Sequence, residues 1–295
     1  SSASDVYKRQ VAKSEDGKTL ERILLSHFPI ERNGFYKALR KKDIKINGKR
    51  ITKNIILHES DLVEAYIFLK EELGKCYTVL YQNSYILIVD KKQGVPAMED
   101  KNHETTLIAQ INNDFQADYE LCHRIDRNTG GIVVISKQTH YTDCIKNALN
   151  ERYYNKIYQC LVWGDARKII GLRKAWHFKD SSKNQVYIYS DCRKYTKEIA
   201  TEILSVQYDP KQNISKLEIN LITGRTHQIR VHMSYIGYPV YGDPKYGKKK
   251  DDQSHGQFLH AKKLGFIHPT TGEYVEFECP LPDYFQAKLD ELKGE

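Results

Sequence analysis

Between Leu121 and Lys137 the chain reads LCHRIDRNTGGIVVISK, with one acid, Asp126, standing between Arg124 and Arg127 and with His123 close by. A carboxylate in that setting can start a turn, form an ion pair, or act as a nucleophile or base. The turn accounts for the stretch taken alone, because Asn128-Thr129-Gly130-Gly131 follows at once. A second concentration of polar chemistry lies at LEINLITGRTHQIRVHMSYIGYPVYGDPKYG, residues 217–247. There Leu217, Ile219 and Leu221 alternate as a half-buried strand, Thr223-Gly224 breaks it, and Ile229, Met233 and Ile236 recur at helical spacing up to Gly237 and Pro239. His227, Arg230 and Ser234 share the helix face opposite that apolar stripe. A buried arginine requires a carboxylate. Asp243 is the first acid downstream of Arg230, and the distant Asp126 is the natural candidate. A purely structural ion pair is the bland alternative for Arg230.

The elements that must position these residues are bounded by composition. A chain of 295 residues, 40% hydrophobic, can bury one large core or a large and a small one. Its 46 Lys+Arg against 38 Asp+Glu leave a formal charge of +8, which favours a polyanionic partner. No apolar window is long enough to cross a bilayer and no signal pattern opens the sequence, so the reading is a cytoplasmic protein without membrane contact. Six cysteines form no C-x-x-C pair, and the 11 histidines form no H-E-x-x-H. Neither a metal site nor a disulfide framework is indicated. No G-x-G-x-x-G or G-x-x-x-x-G-K follows a strand, so a nucleotide-cofactor fold is disfavoured. The opening SSASDVYKRQ has no periodicity, and residues 1–13 read as a disordered tail outside the fold.

Residues 14–70 read as a small α+β unit. Leu20, Ile23, Leu24 and Phe28 keep helical spacing until Pro29, a second short helix carries Phe35, Ala38 and Leu39, and Ile44 and Ile46 alternate before an Asn47-Gly48 hairpin turn. Lys37, Arg40, Lys41, Lys42, Lys45, Lys49, Arg50 and Lys53 crowd this stretch with Asp43 as the only acid, which suits contacts to a phosphate backbone. A solvated charged face is the simpler account. A linker at 71–76 precedes strand-rich chain from residue 77 to 295, beginning YTVLYQNSYILIVDKKQG. Without repeats or a βαβ rhythm, this part reads as α+β with a mainly antiparallel sheet.

Four segments, HRIDRNTGGIVVISK, NKIYQCLVWG, TGRTHQIRVHMSYIGYPVYGDPKYG and FLHAKKLGFIHPTTGEYVEFECPLPDYF, resemble in the same order the signature segments of the RluA-type pseudouridine synthases. Residues 14–70 resemble the αL RNA-binding module first seen in a small-subunit ribosomal protein. The resemblance implies a long mixed, mainly antiparallel β-sheet flanked by helices and loops, preceded by a small α+β RNA-binding domain. It implies a monomeric enzyme that turns RNA uridine into pseudouridine without cofactor or metal, acting on large-subunit ribosomal RNA. Transfer RNA as the target, or a non-catalytic RNA-binding protein, are the alternatives. By the same resemblance Asp126 is the catalytic carboxylate and Arg230 its ion-pair partner. Tyr158 lies against the uracil or moves its proton, and Arg124 takes the place of a flipped base. Further RNA contacts are expected from Thr129, Lys156, Arg225 and His227, and from Arg40, Lys41, Lys42, Lys45, Lys49 and Arg50 of the first domain, while His123 is expected to be structural or to face a phosphate of the RNA. Ile125 and Gly130 depart from the usual Leu and Ser of the family pattern.

Overall fold

A computed structural model describes residues 6–27, 32–66, 76–98, 105–137, 139–150 and 154–292. The chain divides into two compact units, one made of Ser1–Tyr77 and Val95–Glu120, the other of Thr78–Gly94 and Leu121–Glu295.

In the first unit, strand β1 (Val6–Gln10), helices α1 (Leu20–His27) and α2 (Arg32–Lys41), and strands β2 (Ile44–Ile46), β3 (Lys49–Arg50) and β4 (Leu62–Tyr66) follow one another. The strands form one sheet in the order β1-β4-β2-β3. The apolar positions that set the helical periods, Leu20, Ile23 and Leu24 on α1 and Phe35, Ala38 and Leu39 on α2, share one core with Ile44 and Ile46. Asn47 (φ 50°) and Gly48 (φ 77°) both adopt positive φ, the geometry of a two-residue hairpin whose twist matches its strands. Arg40, Lys41, Lys42, Lys49 and Arg50 are exposed at the end of α2 and on this hairpin, while Lys45 is half-buried opposite Glu64. Phe28, Pro29 and the linker up to residue 75 lie outside the described residues.

The expected tail at 1–13 is corrected from Val6 on, since Val6–Gln10 pairs antiparallel with Leu62–Tyr66 and Lys8 bonds Glu64 at 2.8 Å; residues 1–5 lie outside the described residues. Backbone pairing to an open strand edge needs no periodicity, so five residues of mixed polarity gave no signal. The unit also takes in residues 95–120, which the linear division at 71–76 assigns elsewhere. Its helix α3 (Leu107–Phe115) buries Leu107, Ala109 and Ile111 and touches α1, where Asn112 Nδ2 lies 3.4 Å from His27 Nδ1. A boundary drawn along the chain cannot anticipate a segment that returns to an earlier core.

The second unit is organised by an 11-stranded sheet. After β5 (Tyr77–Gln82), β6 (Ile86–Lys91) and the short β7 (Glu120–Leu121) come β8 (Gly130–Ser136), α4 (Thr139–Asn150) and β9 (Asn155–Trp163). Next follow β10 (Gly171–Asp180), β11 (Gln185–Tyr189), β12 (Lys197–Asp209), β13 (Ile214–Leu221) and α5 (Gln228–Tyr235). The chain ends with β14 (Leu259–Ile267), β15 (Tyr274–Glu278) and α6 (Asp283–Glu291). The main path runs β11-β10-β12-β13-β9-β14-β8-β6-β5, with β15 beside β14. The pairs β10–β11, β10–β12, β12–β13, β13–β9, β14–β9, β14–β15 and β6–β8 are antiparallel and β14–β8 is parallel, so the α+β, mixed and mainly antiparallel architecture is the one expected.

Strand β8 is buried along its whole length, which is why GGIVVIS reads as a continuous apolar run rather than an alternating one. At Gly131 (φ 118°) an added Cβ would stand 2.2 Å from the carbonyl oxygen of Ala261, so the close β8–β14 approach requires glycine. Strand β9 lies between β13 and β14, and α5 follows β13 through the six-residue turn 222–227; these elements and the loop before β8 converge on one cavity. No helix among the described residues is long and apolar enough to cross a membrane.

Candidate active site

The loop between Cys122 and Thr129 hands Asp126 to the cavity because its backbone is gripped from outside. The fully buried ammonium of Lys91 donates to the carbonyl of Arg127 at 3.1 Å, and Gly94 N donates to the same oxygen at 2.9 Å. The amide of Gln93 donates to Asn128 O at 2.8 Å, and Arg127 Nε donates to Gly94 O at 3.2 Å. Within the loop, Thr129 N donates to Asp126 O at 3.0 Å. The turn that precedes Asp126's partner is held as firmly. Gln228 accepts from Thr223 Oγ1 at 2.8 Å and from Arg225 N at 3.1 Å, while its amide donates to Ala200 O and to Thr201 Oγ1.

These two supports bring residues 104 positions apart into contact: Arg230 Nη1 donates to Asp126 Oδ2 at 3.1 Å. Arg230 is 6% exposed, and Asp126 keeps 26% of its side chain open. The guanidinium has a second and closer partner. Nε donates to Asp243 Oδ2 at 2.7 Å and Nη2 to Asp243 Oδ1 at 3.0 Å, a bidentate pair. Asp243 is fully buried, and it also accepts from the backbone N–H of Lys245 (2.8 Å) and Tyr246 (3.0 Å). Burial alone would raise this carboxyl, but hydrogen bonds and charge from Arg230 and the two backbone donors hold it below its ordinary value. Burial likewise opposes the Arg230 charge, and Asp243 followed by Asp126 raises it above its ordinary value.

The cavity, about 70 Å³, is lined by Arg124, Asp126, Tyr158, Arg225, His227 and Arg230 among others. Thr129 also lines it, although its hydroxyl is buried and accepts from Gln257 Nε2 at 3.2 Å. Tyr158, at the centre of β9 with Ile219 and Ala261 as cross-strand neighbours, is 9% exposed. Burial, and secondarily the Asp126 charge, push its hydroxyl up, so it stays protonated at neutral pH. Arg124 and Arg225 are the exposed cations at this cavity.

Three residues expected among the RNA contacts differ from simple exposed cations: His123 and Lys156 stand off the cavity lining, and His227 is on it. His123 Nε2 accepts a hydrogen bond from Val134 N at 3.1 Å, and burial, then the charge of Lys156, lowers its ring to about 3. It is a neutral brace for β8 rather than a cation. His227 caps α5 in the left-handed conformation (φ 54°), so it does not sit on a regular helical face with Arg230. Its Nδ1 lies 2.9 Å from the Tyr246 hydroxyl, and burial first, then Arg230, lower it to about 4 in spite of Asp126. At neutral pH its ring carries no charge for a phosphate. Lys156 lies over the Tyr154 ring at 4.3 Å, off the lining of the cavity, and burial lowers it to about 8.

Lys91, Gln93 and Gln228 carry no signal that residue type or spacing reveals, and Asp243 carries a weak one. Asp243 was visible as the first acid after Arg230, but nothing in GDPKYG says that both carboxylates share one guanidinium. A separate donor set that could hold a cation, Asp90, His260 and Cys279, has one ligand atom each within 4.8 Å. His260 Nε2 lies 3.2 Å from Cys279 Sγ, and Lys91 and Lys262 already place positive charge on the set. Burial, then Asp90's charge, push the thiol up, so the three groups stand as a hydrogen-bonded cluster.

A carboxylate held by a buried guanidinium, facing a small cavity beside a protonated tyrosine, has the parts for attack at an electrophilic sugar carbon. The family pattern for RNA pseudouridylate synthases matches residues 85–235, which includes the Asp126 loop, β9 and α5. An uncharacterised RNA pseudouridine synthase of Mycoplasma genitalium is 30% identical over 293 residues, covering 93% of this chain and 92% of its own. The ribosomal large subunit pseudouridine synthase C of Haemophilus ducreyi is 26% identical over 307 residues, with 97% and 95% covered. The structure of the human RNA pseudouridylate synthase domain containing 1 superposes with a TM-score of 0.58 at 26% identity, covering 72% of this chain and 86% of that one. The chain belongs to the RNA pseudouridine synthase family. It is accordingly an isomerase of uridine in RNA.

Proposed function

We propose that the protein converts uridine to pseudouridine in large-subunit ribosomal RNA, with Asp126 as the nucleophile. The observation that carries this reading is the buried Arg230 donating to an Asp126 carboxylate that remains a quarter open to a cavity. In the proposed reaction the carboxylate attacks the anomeric carbon and the bond to the uracil ring nitrogen breaks, leaving the base as an anion. The base turns, its ring carbon displaces the carboxylate from the sugar, the proton on that carbon is lost to solvent, and the ring nitrogen that left the sugar takes up a proton, so the product is an isomer of the substrate. The protonated Tyr158 suits contact with the uracil, and Arg124 at the rim suits the gap left by an extracted nucleotide. Removal of the neighbouring ribose proton by the same carboxylate is the variant of the first step that also begins at Asp126.

Ribosomal RNA as the target is supported by the relative from Haemophilus ducreyi, whose name gives that substrate, and by the exposed cations of the first unit. Arg40, Lys41, Lys42, Lys49 and Arg50, together with Lys45, fit an αL-type RNA-binding module that engages phosphates. The proposed enzyme works as a cytoplasmic monomer without metal or cofactor.

The test uses transcripts of large-subunit ribosomal RNA and transfer RNA labelled with tritium at uridine carbon 5, with isomerisation read as tritium release. The wild type is expected to release tritium from ribosomal RNA and to retain that activity after dialysis against a chelator. Asp126→Asn is expected to bind the RNA and release none. Release from transfer RNA alone overturns the target, retained activity in Asp126→Asn overturns the nucleophile, and a chelator-sensitive rate overturns the metal-free chemistry.

A further inference from the structure

Where Asn128 of the Asp126 loop forms one wall, the second unit carries an open cleft of about 480 Å³, a size ordinary for a ligand site, that the reaction described above does not use. Lys92, Gln93, Asn128, Ser254, His255 and Tyr284 are among its walls. The imidazole of His255 is stacked on the Tyr284 ring at 4.4 Å and 6°. Tyr284 in turn meets Phe258 edge-on at 5.3 Å, and Phe258 packs against Phe285 and Tyr241. His255 itself is exposed. An exposed planar ring is thus laid on a ring that is backed by the core, which spares a stacking partner the cost of ordering it.

The cleft is fixed in place relative to the catalytic carboxylate. The Gln93 amide that holds Asn128 O also donates to the carbonyl oxygens of His255 and of Gln257, the latter at 3.3 Å. One half-buried side chain therefore ties the Asp126 loop to the loop that carries His255. Gly256 (φ 66°) lets the second loop press against Asn128, where an added Cβ would come within 3.0 Å of the Asn128 Cβ. Lys92 supplies a cation, and Gln93, Asn128 and Ser254 supply short polar edges. Asp252, the acid beside them, already accepts from Ser254 N at 3.0 Å. A flat aromatic face, one cation and several small hydrogen-bonding groups are the recognition set for an unpaired nucleotide.

We infer that this cleft takes a nucleotide of the substrate RNA flanking the target uridine, with its base stacked on the outer face of His255. A strand whose target base enters the Asp126 cavity must splay its neighbours, and a stacking platform tied to the same loop through Gln93 gives one of them a place to go. The inference rests on the RNA-isomerase reading for its substrate, but its test does not depend on turnover. The full-length protein is titrated into a fluorescein-labelled uridine 12-mer, with Kd read by anisotropy, and the ribosomal RNA transcript supplies KM. His255→Ala is expected to raise both Kd and KM about tenfold, and His255→Phe, which keeps a flat ring, to restore them. Equal Kd for wild type, His255→Ala and His255→Phe overturns the inference, as does a His255→Ala defect confined to kcat. Far-ultraviolet circular dichroism and the melting temperature check that both variants fold; if His255→Ala unfolds, the comparison of His255→Phe with His255→Ser replaces it. Should the wild type fail to turn over any transcript, the functional reading falls while the 12-mer titration still decides the cleft.

Discussion

Replacement of Asp243 by Asn probes the part of the site that chain order concealed. Arg230 donates three hydrogen bonds to carboxylates, two of them to Asp243 at 2.7 and 3.0 Å and one to Asp126 at 3.1 Å. In Asp243→Asn one acceptor oxygen becomes an NH2 that faces a guanidinium N–H, so a charge-assisted bond worth about 1.5–3 kcal/mol is lost. The arginine also stays buried with half of its compensating charge gone, which brings the total to about 3–5 kcal/mol. For a chain of this length that is a fall in Tm of about 5–8 °C, read by differential scanning calorimetry. Single-turnover assays should show kcat falling with it, because the guanidinium that orients Asp126 is no longer held. Asp126→Asn provides the contrast: a side chain 26% open with one bond to Arg230 is expected to cost about 1 kcal/mol or less while abolishing turnover. The folded carboxyl of Asp243 lies below its ordinary 3.8, so its contribution is fully present above that pH and is lost as pH falls through the folded value. The Tm gap between wild type and Asp243→Asn is therefore expected to be constant from pH 5 to 8, a range well above the ordinary carboxyl value, and to close in stronger acid. A variant that melts within about 2 °C of wild type and keeps its kcat would refute the bidentate support as described.

Glu15 in the first unit makes the same kind of test independent of the active site. Its carboxylate bonds Arg9 at 2.6 Å and the ring of His27, and although burial works against the charge, His27 and Arg9 lower it from 4.5 to about 2. That shift corresponds to a stabilisation of about 3 kcal/mol, present above pH 4.5 and lost as pH falls toward 2. Urea unfolding should show Glu15→Gln weaker than wild type by that order at pH 7 and equal to it near pH 2; a gap that ignores pH would exclude the ionic origin. Gly131→Ala sets a Cβ 2.2 Å from the Ala261 carbonyl at a φ of 118°, so the β8–β14 pair must separate. The expected cost is about 4 kcal/mol or more, seen as a loss of soluble protein or of the calorimetric transition, and a wild-type melting curve would count against the close approach.

Much of this molecule could be read along the chain because its signals are local. The helix periods of α1, α2 and α5, the alternation of β13 and the Asn47-Gly48 turn depend on neighbours within a few residues, and each stands where it was expected. The buried run of β8 and the Asp126-Arg230 pairing were legible too, the second because an inward arginine needs an acid and few acids were placed to serve. Periodicity could not report strand β1, whose pairing is made by backbone groups common to every residue, nor the return of α3 to the first unit. Only the tertiary structure decided that two carboxylates share Arg230, that Lys91 and Gln93 hold the Asp126 loop by its carbonyls, and that His123 and His227 are neutral. The reason is physical: residue type and spacing determine which groups can ionise or donate, whereas burial and the partner across space determine which of those groups do so.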